Sequence, residues 1–113
     1  MSEFMFIYRG QEGPRTAANA GEITQRWVAW IQALGVDGHL VDRGQPLEFT
    51  GKVVNGKDNI VTDGPYAETK DLVCGYTLIE ASDLDQAVEL SAGCPIFEVG
   101  GLLEIRPIIK LTM

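Results

Sequence analysis

Residues 63–71 read Asp-Gly-Pro-Tyr-Ala-Glu-Thr-Lys-Asp and set several side chains capable of chemistry close together. Asp63 is the candidate catalyst among them. A carboxylate beside an apolar cleft has its protonation tuned by desolvation, which suits it to act as a general base or to orient a bound hydroxyl. Read structurally, the same residue is an Asx-type acceptor that holds Gly64 and Pro65 in a turn, with Pro65 fixing φ and biasing Gly64 toward an extended conformation. Glu68 and Lys70 share one side of an extended segment. They form there either a polar rim that binds an anionic group or a solvated strand end. Tyr66, in the same turn, joins them as a ligand-binding candidate.

Two further groups of candidates lie elsewhere in the chain. Glu104 and Arg106 share one face of a strand, either as an ion pair at a subunit seam or with Arg106 clamping a substrate carboxylate. His39, the single histidine, follows the first helix, where an imidazole packs at the surface or reaches a cleft from a loop. Other chemistries lack their residues. One histidine and two separated cysteines, Cys74 and Cys94, make no metal constellation and no disulfide framework. Neither a glycine-rich phosphate loop nor a G-x-S-x-G elbow is present, and no cofactor is implied.

The 113 residues are enough for one domain and too few for two. Hydrophobic residues at 45% and charged residues at 22% belong to a chain that folds rather than to a disordered one. Sixteen acidic residues against nine basic ones leave a net charge of -7, with no basic stripe. Nucleic acids and anionic membrane surfaces are disfavoured partners on that balance. The apolar stretch at residues 4–8 is strand-length, too short for a signal core or a membrane span, so a cytoplasmic location is expected.

The elements that must position these residues follow from periodicity. Phe4, Phe6 and Tyr8 alternate with Met5 and Ile7, which predicts a central strand apolar on both faces. Ile23, Trp27, Trp30, Ile31 and Leu34 recur at helical spacing and predict a helix of about four turns ending at Gly35. His39 to Asp42 is strand-like. Val53-Val54 and Ile60-Val61 flank Asn55-Gly56, which predicts a hairpin with a longer or bulged loop. Residues 72–81 predict a second central strand, apolar on both faces. Ser82 and Asp85 form a capping box that opens a helix with Leu84, Ala87 and Val88 inward, ended by Gly93 and Pro95. Leu103, Ile105, Ile108 and Ile109 form a last strand, with Pro107 suited to an edge or an end.

This order predicts an α+β fold, a ferredoxin-like antiparallel sheet with two helices on one face. Two helices cover one face of such a sheet, yet both central strands are apolar on both faces. A homodimer is therefore expected to bury the second face, with a small-molecule cleft near the interface.

DGPYAETKD resembles the DGPF signature of the DGPF/YCII-related family, with Tyr66 in place of the usual Phe. Gly75-Tyr76, Leu78-Ile79-Glu80, Cys94-Pro95 and Glu104-Ile105-Arg106-Pro107 are similar to that family's pattern, in its order, across nearly the whole chain. The resemblance implies a single ferredoxin-like domain of dimeric α/β barrel type. It also implies a possible acid/base pair made of a first-helix histidine and an aspartate ahead of the central strand. Asp63 matches the aspartate. The first helix carries Arg26, Trp27 and Trp30 but no histidine, so a His/Asp mechanism does not carry over whole.

Two functions remain open. One is a cofactor-free enzyme performing proton transfer, elimination or isomerisation on a small organic molecule. The other is a non-catalytic sensor or accessory module, since the resemblance implies related domains beside or fused to sigma factors. Both exclude nucleic acid as a direct partner. Mixing the protein with DNA or RNA at physiological ionic strength is expected to give no salt-sensitive gel shift, because no basic stripe is present to neutralise phosphates.

Overall fold

The computed structural model describes residues 1–10, 17–64 and 72–111, with the side chains of residues 17–20 left out. In chain order the elements are β1 (Ser2–Gly10), α1 (Ala17–Val36), β2 (Leu40–Asp42), β3 (Gly51–Asn55), β4 (Ile60–Gly64), β5 (Leu72–Ala81), α2 (Leu84–Leu90), a 3-10 helix (Pro95–Val99) and β6 (Leu102–Pro107). Four strands form one sheet in the order β2-β5-β1-β6, and β3 and β4 form a separate two-stranded ribbon. Every pairing in the main sheet is antiparallel. With both helices contributing to the core on one side, the fold is α+β and compatible with the ferredoxin-like arrangement.

The core is the inward face of the two central strands. Phe4, Phe6 and Tyr8 of β1 and Ile79 and Ala81 of β5 are buried, while the alternate residues Met5, Ile7, Tyr76 and Leu78 are only half-buried. That alternation is the pleat of strands covered on one side. Leu34 of α1 and Ala87 of α2 complete the inner layer, with Trp27, Trp30 and Ile31 packed against it. Tyr8 meets Trp27 edge-on at 4.8 Å and Phe6 stacks on Trp30 at 6.0 Å, so the tryptophans anchor the helix to the sheet.

Several boundaries differ from the sequence-based expectation. The first helix runs through Gly35 to Val36, and the reversal falls at Gly38, whose φ is +79°, with the His39 amide donating back to the Leu34 carbonyl. Glycine tolerates a helical position, and the left-handed φ is what selects it at Gly38. Asp83 rather than Ser82 caps α2: its carboxylate accepts from the Gln86 amide, and the Ser82 amide donates to Gln86 Oε1. The capping shifts by one residue, and Gln86 reaches back past the cap to the Ser82 amide rather than to the amide of Asp83 itself. With the start moved, Ala87 faces inward, whereas Leu84 and Val88 are exposed. Ile108 and Ile109 lie beyond β6, and Pro107 is the last residue of that edge strand.

A buried polar chain ties the long loop after β2 to the sheet. Tyr8 donates its hydroxyl hydrogen to Thr77 Oγ1 at 2.6 Å, and Thr77 donates to the Arg43 carbonyl at 2.9 Å. Gly44 follows with φ +73°, and a Cβ there would lie 1.7 Å from the Tyr76 carbonyl oxygen, so glycine is required for this close approach. Pro46 then bridges to Gly75, and the Leu47 amide donates to the Cys74 carbonyl. No helix among the described residues is long and apolar enough to cross a membrane. Thr77→Val leaves the buried Tyr8 hydroxyl and the Arg43 carbonyl without partners and is expected to cost about 1–3 kcal/mol in urea unfolding, with Thr77→Ser restoring most of the loss.

Candidate functional site

Asp63 lies on β4 directly opposite Lys52 on β3, and its carboxylate accepts a short hydrogen bond from the Lys52 ammonium. The ribbon's register produces this pair. Asn55 ends β3 opposite Ile60, and the loop between them is the longer one, with positive φ values of 73° at Gly56 and 51° at Asn59 rather than at Asn55 itself. Stepping back along both strands from that turn brings residue 52 opposite residue 63. Sequence analysis did not single out Lys52: a tight turn centred on Asn55-Gly56 would set Lys52 opposite Asn59, and only the longer loop brings it opposite Asp63.

The pair lines an open hollow of about 500 Å³ at the base of the ribbon, together with Phe49, Thr50, Gly51 and Gly64. That volume falls within the range of small-molecule sites. An apolar ring beside a cation and an anion can hold a small polar organic molecule, with Lys52 meeting an anionic oxygen and Asp63 a hydroxyl or acidic C–H. Asp63 is 90% exposed in the single chain, so the desolvation that would tune a general base is not supplied by the chain's own described residues.

The other sequence candidates are distributed differently. Tyr66, Glu68 and Lys70 lie outside the described residues. His39 is half-buried directly before β2, its Nδ1 2.9 Å from the Glu80 carbonyl, while its own carbonyl accepts from the Glu80 amide. A carbonyl only accepts, so Nδ1 carries the proton and the ring is tethered to β5. Arg106 is exposed on the sheet's outer face with Nη1 3.5 Å from Glu104, which also pairs with Arg9 Nε at 2.7 Å. Among the described residues no hydrogen bond or ion pair joins Asp63 to His39 or to Arg106. Cys94 is buried, and that burial pushes its thiol up to about 12; Cys74 donates to the Tyr8 carbonyl.

These features define an α+β domain with a polar hollow at the base of a hairpin. The YCII-related domain family matches residues 4–112, nearly the whole chain, and the protein belongs to that family. An uncharacterized protein of Rhizobium meliloti (strain 1021) is 36% identical to it over 52 residues, which cover 45% of this chain and 42% of that protein. The aligned part thus spans less than half the length of this relative.

The Arg9 guanidinium holds the Glu104 carboxyl below its ordinary value, with Arg106 adding to the effect. A carboxyl whose folded-state value is lowered contributes stability that is present above its unfolded value and lost as pH falls through the folded one. The melting temperatures of the native protein and of Glu104→Gln are expected to differ at neutral pH and to converge in acid, below the ordinary carboxylate range. High salt is expected to narrow the neutral-pH gap, because the pair is partly exposed.

Proposed function

We propose that this protein acts as a homodimer that binds a small organic molecule in a cleft beside the subunit interface, where Asp63 accepts a proton or orients a hydroxyl. The observation that carries this reading is the hollow at the base of the ribbon, where the Lys52–Asp63 pair stands beside Phe49. The dimer is supported by the outer face of the main sheet, on which Met5, Ile7, Tyr76 and Leu78 are half-buried and no helix packs among the described residues. Two such sheets facing each other, in the manner of a dimeric α/β barrel, would bury that apolar surface.

The reaction class is cofactor-free proton transfer, elimination or isomerisation, carried out in the cytoplasm. Coverage by a second subunit would supply the desolvation that Asp63 lacks in the single chain. The exposure of Asp63 and its existing ion pair favour a second reading, a non-catalytic small-molecule sensor or accessory module; its link to sigma-factor regulation rests on the resemblance alone. Tyr66, Glu68 and Lys70 remain ligand-binding candidates in both readings, and His39 and Arg106 enter only if the partner brings them to the cleft.

Asp63→Asn separates the two readings. Asn keeps an oxygen acceptor opposite Lys52, so the variant is expected to keep its fold and its dimer mass, checked by melting and sedimentation. Binding is to be read by amide chemical shifts at Gly51 and Gly64 during titration with small aromatic and hydroxylated organic acids, and turnover by product formation from the same compounds. Loss of turnover with binding retained supports the base. Binding in the native protein with no turnover of any compound moves the protein to the sensor reading.

A further inference from the structure

Among the described residues, the β3–β4 ribbon stands apart from the main sheet and the helices. Its strands pair with each other, and neither makes extensive contact with another element among the described residues. The register places Lys52, Val54, Val61 and Asp63 on one face and Val53, Asn55, Ile60 and Thr62 on the other. Val54, Ile60 and Val61 are 63%, 58% and 57% exposed, so aliphatic side chains face solvent on both sides of the ribbon. An isolated two-stranded ribbon is marginal in water and needs a packed face to persist. The radius of gyration, 15.8 Å, exceeds the roughly 13 Å of a compact chain of this length, as a projecting arm would make it.

We propose that the ribbon is an arm that docks its Val54–Val61 face on a second copy of this chain, so that the Lys52–Asp63 pair of one protomer lies in a hollow closed by the other. The inference rests on the dimer reading above and adds to it the surface that completes the site.

Area argues for a second copy. Four strands about 4.8 Å apart and about six residues long present a footprint of roughly 19 by 20 Å, or about 400 Å². A specific interface of standard size takes about 800 Å² from each partner, so the sheet face by itself falls well short. A ribbon of two five-residue strands adds a face of about 150 Å². In a two-fold pair each copy lends one arm and receives another, so the gain counts twice on each side and the contact approaches standard size.

Charge points the same way. The chain carries a net charge of -7, so two copies repel over most of their surfaces. Residues 51–64 hold Lys52 and Lys57 against Asp58 and Asp63, an electrically balanced segment on an acidic body. The arm therefore approaches a second copy without adding to the repulsion. Its base is fixed by the loop that Thr77, Gly75 and Cys74 tie to β5, which gives the arm a defined direction.

The test uses the full chain in sedimentation velocity across a concentration series, with two double variants. Val54→Ser with Val61→Ser removes apolar surface from the arm, and Ile7→Ser with Leu78→Ser removes it from the sheet. The arm pair is expected to raise the dimer dissociation constant by on the order of 100-fold, since four docked valines per dimer lose their burial. In a mixed sample of isotope-labelled and unlabelled native protein, nuclear Overhauser contacts are expected from the Val54 and Val61 methyl groups to the other copy. A native dimer in which those methyls contact only solvent or their own chain overturns the arm, whatever the serine variants do. A dimer weakened by the sheet variant but untouched by the arm variant overturns the arm and leaves the dimer reading standing. A monomer at every concentration overturns both.

Discussion

A sheet whose two central strands are apolar on both faces cannot be satisfied by two helices, and this imbalance governs the architecture. Phe4, Phe6 and Tyr8 draw α1 and α2 onto one side, where Trp27 and Trp30 close around them. Met5, Ile7, Tyr76 and Leu78 are left on the other side with the charged trio Arg9, Glu104 and Arg106 at its β6 margin. A polar rim beside an apolar centre is the usual composition of a recognition surface.

The inner face also determines where the hollow lies. Tyr8 is both a core aromatic and the first donor in the chain through Thr77 to the Arg43 carbonyl, and its burial raises the phenol well above its ordinary value. The hydroxyl therefore stays protonated and keeps donating. Gly44, pressed against the Tyr76 backbone, and the Pro46–Gly75 bridge extend this attachment toward Phe49. The candidate site is thus held at one end by core packing and is open at the other, where the ribbon leaves the body. Rigid support beneath a loosely attached element is the arrangement in which a second molecule, ligand or protomer, can complete a site.

An acidic chain with a locally balanced arm also bears on what the hollow can take. Lys52 supplies a single cation, already paired with Asp63, on an acidic body, which would favour a ligand with a single anionic or hydroxyl group over a polyanion. On the proposed reading, Asp63 would be the acceptor that discriminates among such ligands, by its fixed place across the ribbon from Lys52.

Much of the fold was legible from periodicity. The alternation of residues 4–8 and 72–81 marked both central strands, the spacing of Trp27, Trp30 and Leu34 marked α1, and Asn55-Gly56 marked the hairpin, because each pattern is local and set by backbone geometry. The ends of α1 and α2 moved by one residue where the capping residue is chosen by its hydrogen bonds, as at Gly38 and Asp83. Asp63 was legible as a candidate, but the side chain it pairs with was not. Lys52 and Asp63 are eleven residues apart, and only the cross-strand register makes them neighbours. The separation of the β3–β4 ribbon from the main sheet, the outward placement of Leu84 and Val88 and the tether of His39 to Glu80 were likewise decided by tertiary structure. Sequence pattern reports which faces are apolar; which of them find a partner depends on contacts between residues far apart in the chain, and local periodicity does not encode those contacts.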